Sequence, residues 1–375
     1  MLQLLFITGL VFAALAWLYK RRALRHVSYE RTFSTAAASE GDTIEMIERI
    51  ANRKLLPLPW LRLESLLSSR LVFERQADLD IRGGDLFQNH ISLFSLRPYR
   101  LIVRRHLVRC AARGVYALDS ATMTAGDPFG FGTVSVRCPL SLQLLVYPKP
   151  LPLRDVPLPS HSWLGELEVK RWILEDPFLT TGVREYEAGD SFRSIHWKAT
   201  ARAGTLQVHK RPATADHRMW IALNVEISES MWKQVTDPPR IERAIRYAAS
   251  IAQAALERGI ETGLLCNAWC LGSAKRPVRI APQGGSGQLE LLLEAMARLE
   301  LESVMMFADL LQEELESGES GADYLILTCH QADGMIAGAE ALRRSGNGVE
   351  FVIVPDTGVN GGDEAYGTSA TGNRA

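Results

Sequence analysis

Met219-Trp220-Ile221-Ala222-Leu223-Asn224-Val225 is an uncharged run broken only by Asn224. Such a run reads as a strand buried on both faces. Beyond Val225 the chain alternates between helical and strand patterns. Pro239 to Arg258 carries Ile241, Ala244-Ile245, Ala248, Ile251-Ala252 and Ala255-Leu256 on one helical face, and Gly259 stops it. Thr262 to Cys266 reads as a strand, Leu289 to Leu299 and Phe307 to Leu315 as helices, and Tyr324 to Leu327 as a strand. Met335 to Arg344 is a helix and Val349 to Val354 a last strand. Strands alternating with helices predict a mostly parallel, doubly wound α/β sheet over residues 215–355.

Upstream, residues 28–146 read as all-β. His90 to Leu96 alternates, and Leu101-Ile102-Val103, Val115 to Leu118 and Thr133 to Val136 recur at the spacing of a β-sandwich. One stretch conflicts with its neighbours: Ile44, Ile47 and Ile50-Ala51 within Gly41 to Asn52 have helical spacing. Tyr147 to Pro159 holds five prolines and reads as an extended strap. It opens a linker and charged segment over 147–214. Residues 356–375, rich in Gly, Thr and Asn, read as a disordered tail.

Residues 2–19 carry no charge, and eighteen helical residues reach about 27 Å. Trp17 and Tyr19 stand at the end of this run, followed by the basic collar of residues 20–27 with Lys20, Arg21, Arg22 and Arg25. The expectation is a transmembrane helix over 1–19 in a single-pass cell-membrane protein whose bulk is cytoplasmic. A lipid bilayer is then one partner.

Composition bounds the function classes. The chain has 375 residues, 42 Lys+Arg against 43 Asp+Glu, and 5 Cys. That balance excludes a polycationic nucleic-acid binder, and no CxxC spacing supports a zinc module. No Gly-x-x-x-x-Gly-Lys loop, Gly-x-Ser-x-Gly elbow or His-Glu-x-x-His helix occurs. The expectation is a protein that is not an enzyme and needs no cofactor. The sharpest rival is a thiol activity at Cys329, whose neighbour His330 would face the other way on a strand.

Two constellations remain. Glu226-Ile227-Ser228-Glu229-Ser230 comes after the first α/β strand and resembles the Asp-x-Ser-x-Ser loop of von Willebrand factor type A domains. That family holds Mg²⁺ there with a Thr from a second loop and an Asp from a third. Here Glu226 stands for the Asp, Ser286 in Gly284 to Gly287 for the Thr, and Cys329 where the third-loop Asp belongs. The set Glu226, Ser228, Ser230 and Ser286 is therefore a degenerate metal site, and hydroxyls that cap a helix or line a protein contact are expected instead.

The second runs from Arg184 to Arg202. Asp190 is expected to cap a short helix on which Arg193 and Trp197 share a face, as do Lys198 and Arg202. Gly204 then releases a strand, Thr205 to Lys210. Arg184, Arg193 and Arg202 are expected to pair with Glu185, Glu187 and Asp190 and fasten two domains together. The rival is nucleic-acid binding through Lys198, Arg202, Lys210 and Arg211, although no nucleic acid is expected as a partner.

Arg184-x-Tyr186-x-x-Gly189-Asp190-x-x-Arg193-x-Ile195-x-Trp197, with Ala201-Arg202 after it, resembles the signature of the bacterial family named domain of unknown function 58. Arg113-Gly114-Val115-Tyr116 and Asp127-Pro128-Phe129-Gly130-Phe131 resemble it too. The resemblance implies that Gly41 to Asn52 is a sandwich strand, against its periodicity. It implies a binding role for Arg184, Tyr186, Gly189, Asp190, Arg193, Trp197 and Arg202. It also implies partners: a MoxR-type AAA+ ATPase and a transglutaminase-like membrane protein. The function expected is a membrane-anchored adaptor or co-chaperone working by protein contacts, with metal-dependent ligand binding as an alternative.

Overall fold

The computed structural model describes residues 2–73, 79–83, 87–127, 132–158, 183–186, 196–209, 218–229 and 235–356. Contacts divide the chain into two compact units. The first comprises residues 1–156, 245–264 and 269–300; the second comprises 157–244, 265–268 and 301–375. Residues 357–375, read as a disordered tail, lie outside the described residues.

The chain opens with α1 (Leu2–Arg22), then β1 (Val27–Phe33), β2 (Ala37–Ser39), β3 (Thr43–Asn52), β4 (Leu58–Ser68) and β5 (Leu71–Phe73). It continues with β6 (Leu79–Gly83), β7 (Phe87–Leu96), β8 (Leu101–Cys110), β9 (Gly114–Gly126) and β10 (Thr133–Tyr147). One sheet has the order β1-β3-β8-β5, the other β2-β10-β9-β4-β7-β6. Met46 and Val108 of the first sheet meet Leu67, Leu118 and Leu144 of the second in one core. Alternating side chains of both sheets thus fill the space between them.

That core contains a charge cluster. Glu48 is fully buried; its Oε1 accepts from Arg31 at 2.6 Å and from the Tyr29 hydroxyl at 2.7 Å. Its Oε2 accepts from Ser92 at 3.2 Å and lies 2.9 Å from His106 Nε2. Arg31 also donates to Ser65 at 2.7 Å. A carboxylate with this many partners survives burial. The same residue explains why periodicity misleads over Gly41 to Asn52. Ile44, Met46, Glu48 and Ile50 alternate inward as β3, as the family resemblance implies, but a buried acid breaks the apolar pattern of a strand.

The second half of the chain runs β11 (Val183–Glu185), α2 (Trp197–Ala203), β12 (Gln207–His209), β13 (Arg218–Leu223), α3 (Pro238–Glu257), β14 (Glu261–Cys266) and β15 (Ala268–Cys270). Then come β16 (Val278–Gln283), α4 (Ser286–Arg298), β17 (Leu299–Ser303), α5 (Phe307–Glu316), β18 (Ala322–Thr328), α6 (Asp333–Arg344) and β19 (Gly348–Ile353). The unit boundary passes through α3, β14, β15 and β17.

Within the first unit, three ties bind early residues to late ones. Arg113 donates to the carbonyls of Met296, Ala297 and Leu299 at 2.6, 3.3 and 3.0 Å, placing a cation on the end of α4 where unpaired carbonyls gather. Arg246 forms a two-pronged ion pair with Glu40. The Leu151 amide donates to Ser250 Oγ at 2.7 Å, which anchors the proline-rich strap.

In the second unit β13, β18 and β19 lie parallel, with Ile221 opposite Leu325 and Ile326 opposite Phe351. Trp220 and Tyr324 stack with ring centroids 6.2 Å apart, inside a core closed by Phe307 and Leu311 of α5 and Met335 and Leu342 of α6.

Two expectations are corrected. Among the described residues no helix is long and apolar enough to cross a membrane, so the transmembrane helix and the single-pass membrane localisation are not supported. The end of α1 belongs to the β core instead: Tyr19 is 5% exposed and packs with Ala23, Ile50, Leu58 and Phe94. The fold class read from sequence is overturned with it. The chain is a mixed α/β protein, about 43% strand and 29% helix among the described residues. Its late strands form a five-stranded sheet of order β16-β14-β13-β18-β19.

Candidate functional site

In a parallel sheet the strand ends carry the ligand-facing loops. At the end of β13, Asn224 is fully buried and its amide donates to Thr328 Oγ1 at 3.1 Å. Its carbonyl accepts the Glu226 amide at 3.0 Å and Asn267 Nδ2 at 3.1 Å. Asn267 in turn accepts the Val225 amide at 3.0 Å and donates to Glu226 Oε1 at 3.2 Å. Glu226 Oε1 also accepts the amide of Phe307, the first residue of α5, at 3.0 Å.

Glu226 is therefore a helix cap delivered from a distant strand, with its charge at the positive end of α5. Burial pushes its carboxyl up from the ordinary value, and the Phe307 amide and Asn267 oppose that shift. Among the described residues no group of three or more His, Cys, Asp or Glu could hold a metal ion. Ser228 is exposed in the loop beyond Glu226, and Ser230 lies outside the described residues. Ser286 belongs to the other unit, on the first turn of α4, so the structure does not assemble the four degenerate metal-site residues in one unit.

Next to this network, Asp237 Oδ1 accepts the Arg240 amide at 3.2 Å and caps α3, whose first position is Pro238. The Arg240 guanidinium donates to the carbonyls of Cys329 at 2.8 Å and Val354 at 2.7 Å, tying the ends of β18 and β19. Cys329 is 5% exposed, and burial pushes its thiol up to about 11. So little thiolate forms at neutral pH that the side chain is a poor nucleophile.

The signature segment makes a small module of its own in the second unit. β11 and β12 pair antiparallel, with Arg184 opposite Val208, and the Tyr186 amide donates to the Leu206 carbonyl at 2.8 Å. Between them stands α2. Its cap is His196, whose Nδ1 accepts the Ala199 amide at 3.0 Å; the helix cap expected at Asp190 lies outside the described residues. Gly204 ends the helix at φ 72°, a conformation that suits glycine. Thr200 Oγ1 accepts the Gln207 amide at 3.0 Å, which pins α2 to β12. Gly189, Asp190 and Arg193 lie outside the described residues, as do Glu187, Lys210 and Arg211. Trp197 is 69% exposed and Lys198 and Arg202 are exposed on the same short helix. Glu187 and Asp190, acids with which Arg202 is expected to pair, lie outside the described residues.

Asn224, Asn267 and Thr328 were not legible as site residues. The one signal was an amide or hydroxyl closing each apolar strand run, at Leu223-Asn224, Cys266-Asn267 and Leu327-Thr328.

Comparison with known proteins gives one family. The family model described as "Protein of unknown function DUF58" matches residues 182–316, which hold the signature module, α3, α4 and α5. No curated protein matches. Among solved structures, the major pilin SpaD from Corynebacterium diphtheriae is 13% identical over 30% of this chain and 33% of that one, with a TM-score of 0.24. The chain thus spans about a third of the pilin. A non-cellulosomal cohesin from the archaeon Archaeoglobus fulgidus is 15% identical over 32% of this chain and 91% of that one, at 0.22. An uncharacterized protein from Nocardia farcinica with an immunoglobulin-like fold is 12% identical over 30% and 96%, at 0.21. Scores this low establish neither a shared fold nor a shared role. Over residues 182–316, the chain is similar to the DUF58 family.

Proposed function

We propose that the protein is an adaptor that binds a partner protein through α2, the partner being the MoxR-type AAA+ ATPase that the family resemblance implies. The observation that carries this reading is Trp197, 69% exposed beside exposed Lys198 and Arg202 on a helix held by its own cap and by β12. An indole and a guanidinium on a preorganised helix have the composition of an interface hot spot. The acids and thiol that an enzyme would use serve other ends, Glu226 as a helix cap and Cys329 as a buried thiol.

The test is capture of a MoxR-type ATPase encoded beside this chain, using the full-length protein as bait. Wild type should retain the ATPase, and a Trp197→Ala/Arg202→Glu variant should lose at least 10-fold in affinity while unfolding at the same denaturant concentration. Failure of the wild type to capture it, or equal capture by the variant, would refute the proposal. Salt-dependent oligonucleotide binding that the variant abolishes would assign the face to nucleic acid instead.

A further inference from the structure

A cavity of about 580 Å³ lies in the first unit, where α1 ends, and its lining includes Arg22, Arg25, His26, Lys54, Leu18 and Leu56. Among the described lining residues none is acidic. Its floor is the turn after α1. Lys54 Nζ donates to the carbonyls of Ala23 at 2.5 Å and Arg25 at 2.8 Å, and His26 turns the chain at φ 56°. Two of the three ammonium donors are thereby taken, and the third remains for an occupant. Burial lowers the Lys54 ammonium to about 8, so an anion beside it would relieve the cost of keeping the charge there.

The other half of the cavity is apolar and does not stop at its rim. Leu18 shares a face of α1 with Val11 and Ile7, which lie seven and eleven residues earlier. Ile7 is 62% and Val11 50% exposed. At 1.5 Å per residue the strip from Leu18 to Ile7 is about 16 Å long. A cationic mouth therefore opens onto an apolar strip.

We infer that this cavity binds a single-chain anionic amphiphile, its head among Arg22, Arg25 and Lys54 and its alkyl chain along Leu18, Val11 and Ile7. The charge chooses the head and the strip chooses the tail. A carboxylate and a phosphate both satisfy the mouth, because each offers several oxygens to guanidinium and ammonium donors. The site is separate from α2, so its fate is independent of the adaptor reading.

The test is calorimetric titration of the full chain with dodecyl phosphate, dodecanoate, dodecyl maltoside and inorganic phosphate, each chain-bearing probe kept below its micelle concentration. Dodecyl phosphate or dodecanoate should bind at one site per chain, and the stronger of the two names the head. The neutral maltoside and inorganic phosphate should each bind at least 10-fold more weakly. Arg22→Glu/Arg25→Glu, two exposed positions, should weaken the anionic probe at least 10-fold and leave the unfolding midpoint unchanged. Equal binding of the maltoside would mean adsorption to apolar surface, and equal binding of inorganic phosphate would mean a simple anion site. Either result would overturn the inference, as would wild-type affinity in the double variant.

Discussion

Glu226 Oε1 stands 3.0 Å from the backbone nitrogen of Phe307, eighty-one residues later in the chain, and accepts its hydrogen. One carboxylate thus joins the end of β13 to the start of α5. Replacing Glu226 with Ala should cost about 1 kcal/mol, the usual worth of a cap, and more if the Asn267 amide is stranded. The pH dependence has a definite sign. The folded-state value is raised, so the native protein holds this proton to higher pH than the unfolded chain does. The stability that Glu226 contributes should therefore fall as pH rises from about 4.5 through its raised value. Denaturant titrations of wild type and Glu226→Gln should show their difference shifting in favour of Gln over that interval.

Glu48 has the opposite dependence. Burial alone would raise its carboxyl, but the hydrogen bond with His106 and the charge of Arg31 outweigh it and hold the group well below the usual carboxylate range. Its contribution is present above about pH 4.5 and is lost as pH falls below that. Glu48→Gln leaves Arg31 buried without its counter-charge and should cost about 3–5 kcal/mol. An Arg31→Met/Glu48→Leu double variant should be clearly more stable than either single variant, as read from urea midpoints.

His90 lies against Phe73 and His106, with ring centroids 5.0 and 5.4 Å away, and among the described residues neither of its ring nitrogens has a hydrogen-bond partner. Burial, aided by Arg31, pushes it down to about 3. A histidine kept neutral in this way stabilises fully above pH 6.5 and loses that contribution as pH falls toward 3. His90→Leu should match wild type within about 1 kcal/mol at pH 7 and exceed it at pH 5. A variant that lost stability equally at both pH values would show that the ring is needed for packing alone.

Arg113 should be costly to remove. Its guanidinium serves three carbonyls at the end of α4, and charged hydrogen bonds contribute about 1.5–3 kcal/mol in all when buried. Arg113→Ala should lower stability by about that amount. Arg113→Lys should recover part, since an ammonium can reach fewer carbonyls in fixed geometry. Hydrogen exchange at the last turn of α4 should quicken in both, and most in Ala.

How much of this was legible depends on how local the cause is. β13, α3, β14, α4, α5, β18, α6 and β19 could be read because apolar spacing and Gly stops act over a few residues, as at Ile241 to Gly259, whereas the short strands β15, β16 and β17 were missed. The strand at Thr43 to Asn52 defeated periodicity because Glu48 is buried by partners 17, 44 and 58 residues away. The capping partner of Glu226 was not legible for the same reason, Phe307 being eighty-one residues away. Residues 2–19 looked like a bilayer span because hydropathy counts Tyr19 without seeing that β3, β4 and β7 cover it. Arg113 and Asp127 in the second motif have local and distant structural work: Asp127 accepts the Gly132 amide at 2.6 Å and closes its loop.

The ties from Arg113 to α4, from Glu40 to Arg246 and from Leu151 to Ser250 bear on the order of events at the ribosome. The first unit needs residues up to 300, yet the two sheets of its sandwich are complete by residue 147. The nascent sandwich must therefore wait, partly unsupported, while the intervening chain emerges. At about 5–20 residues per second that interval lasts several seconds to half a minute. During it the surfaces that later receive α3 and α4 are open, and a chaperone that holds the N-terminal half should meet its substrate then.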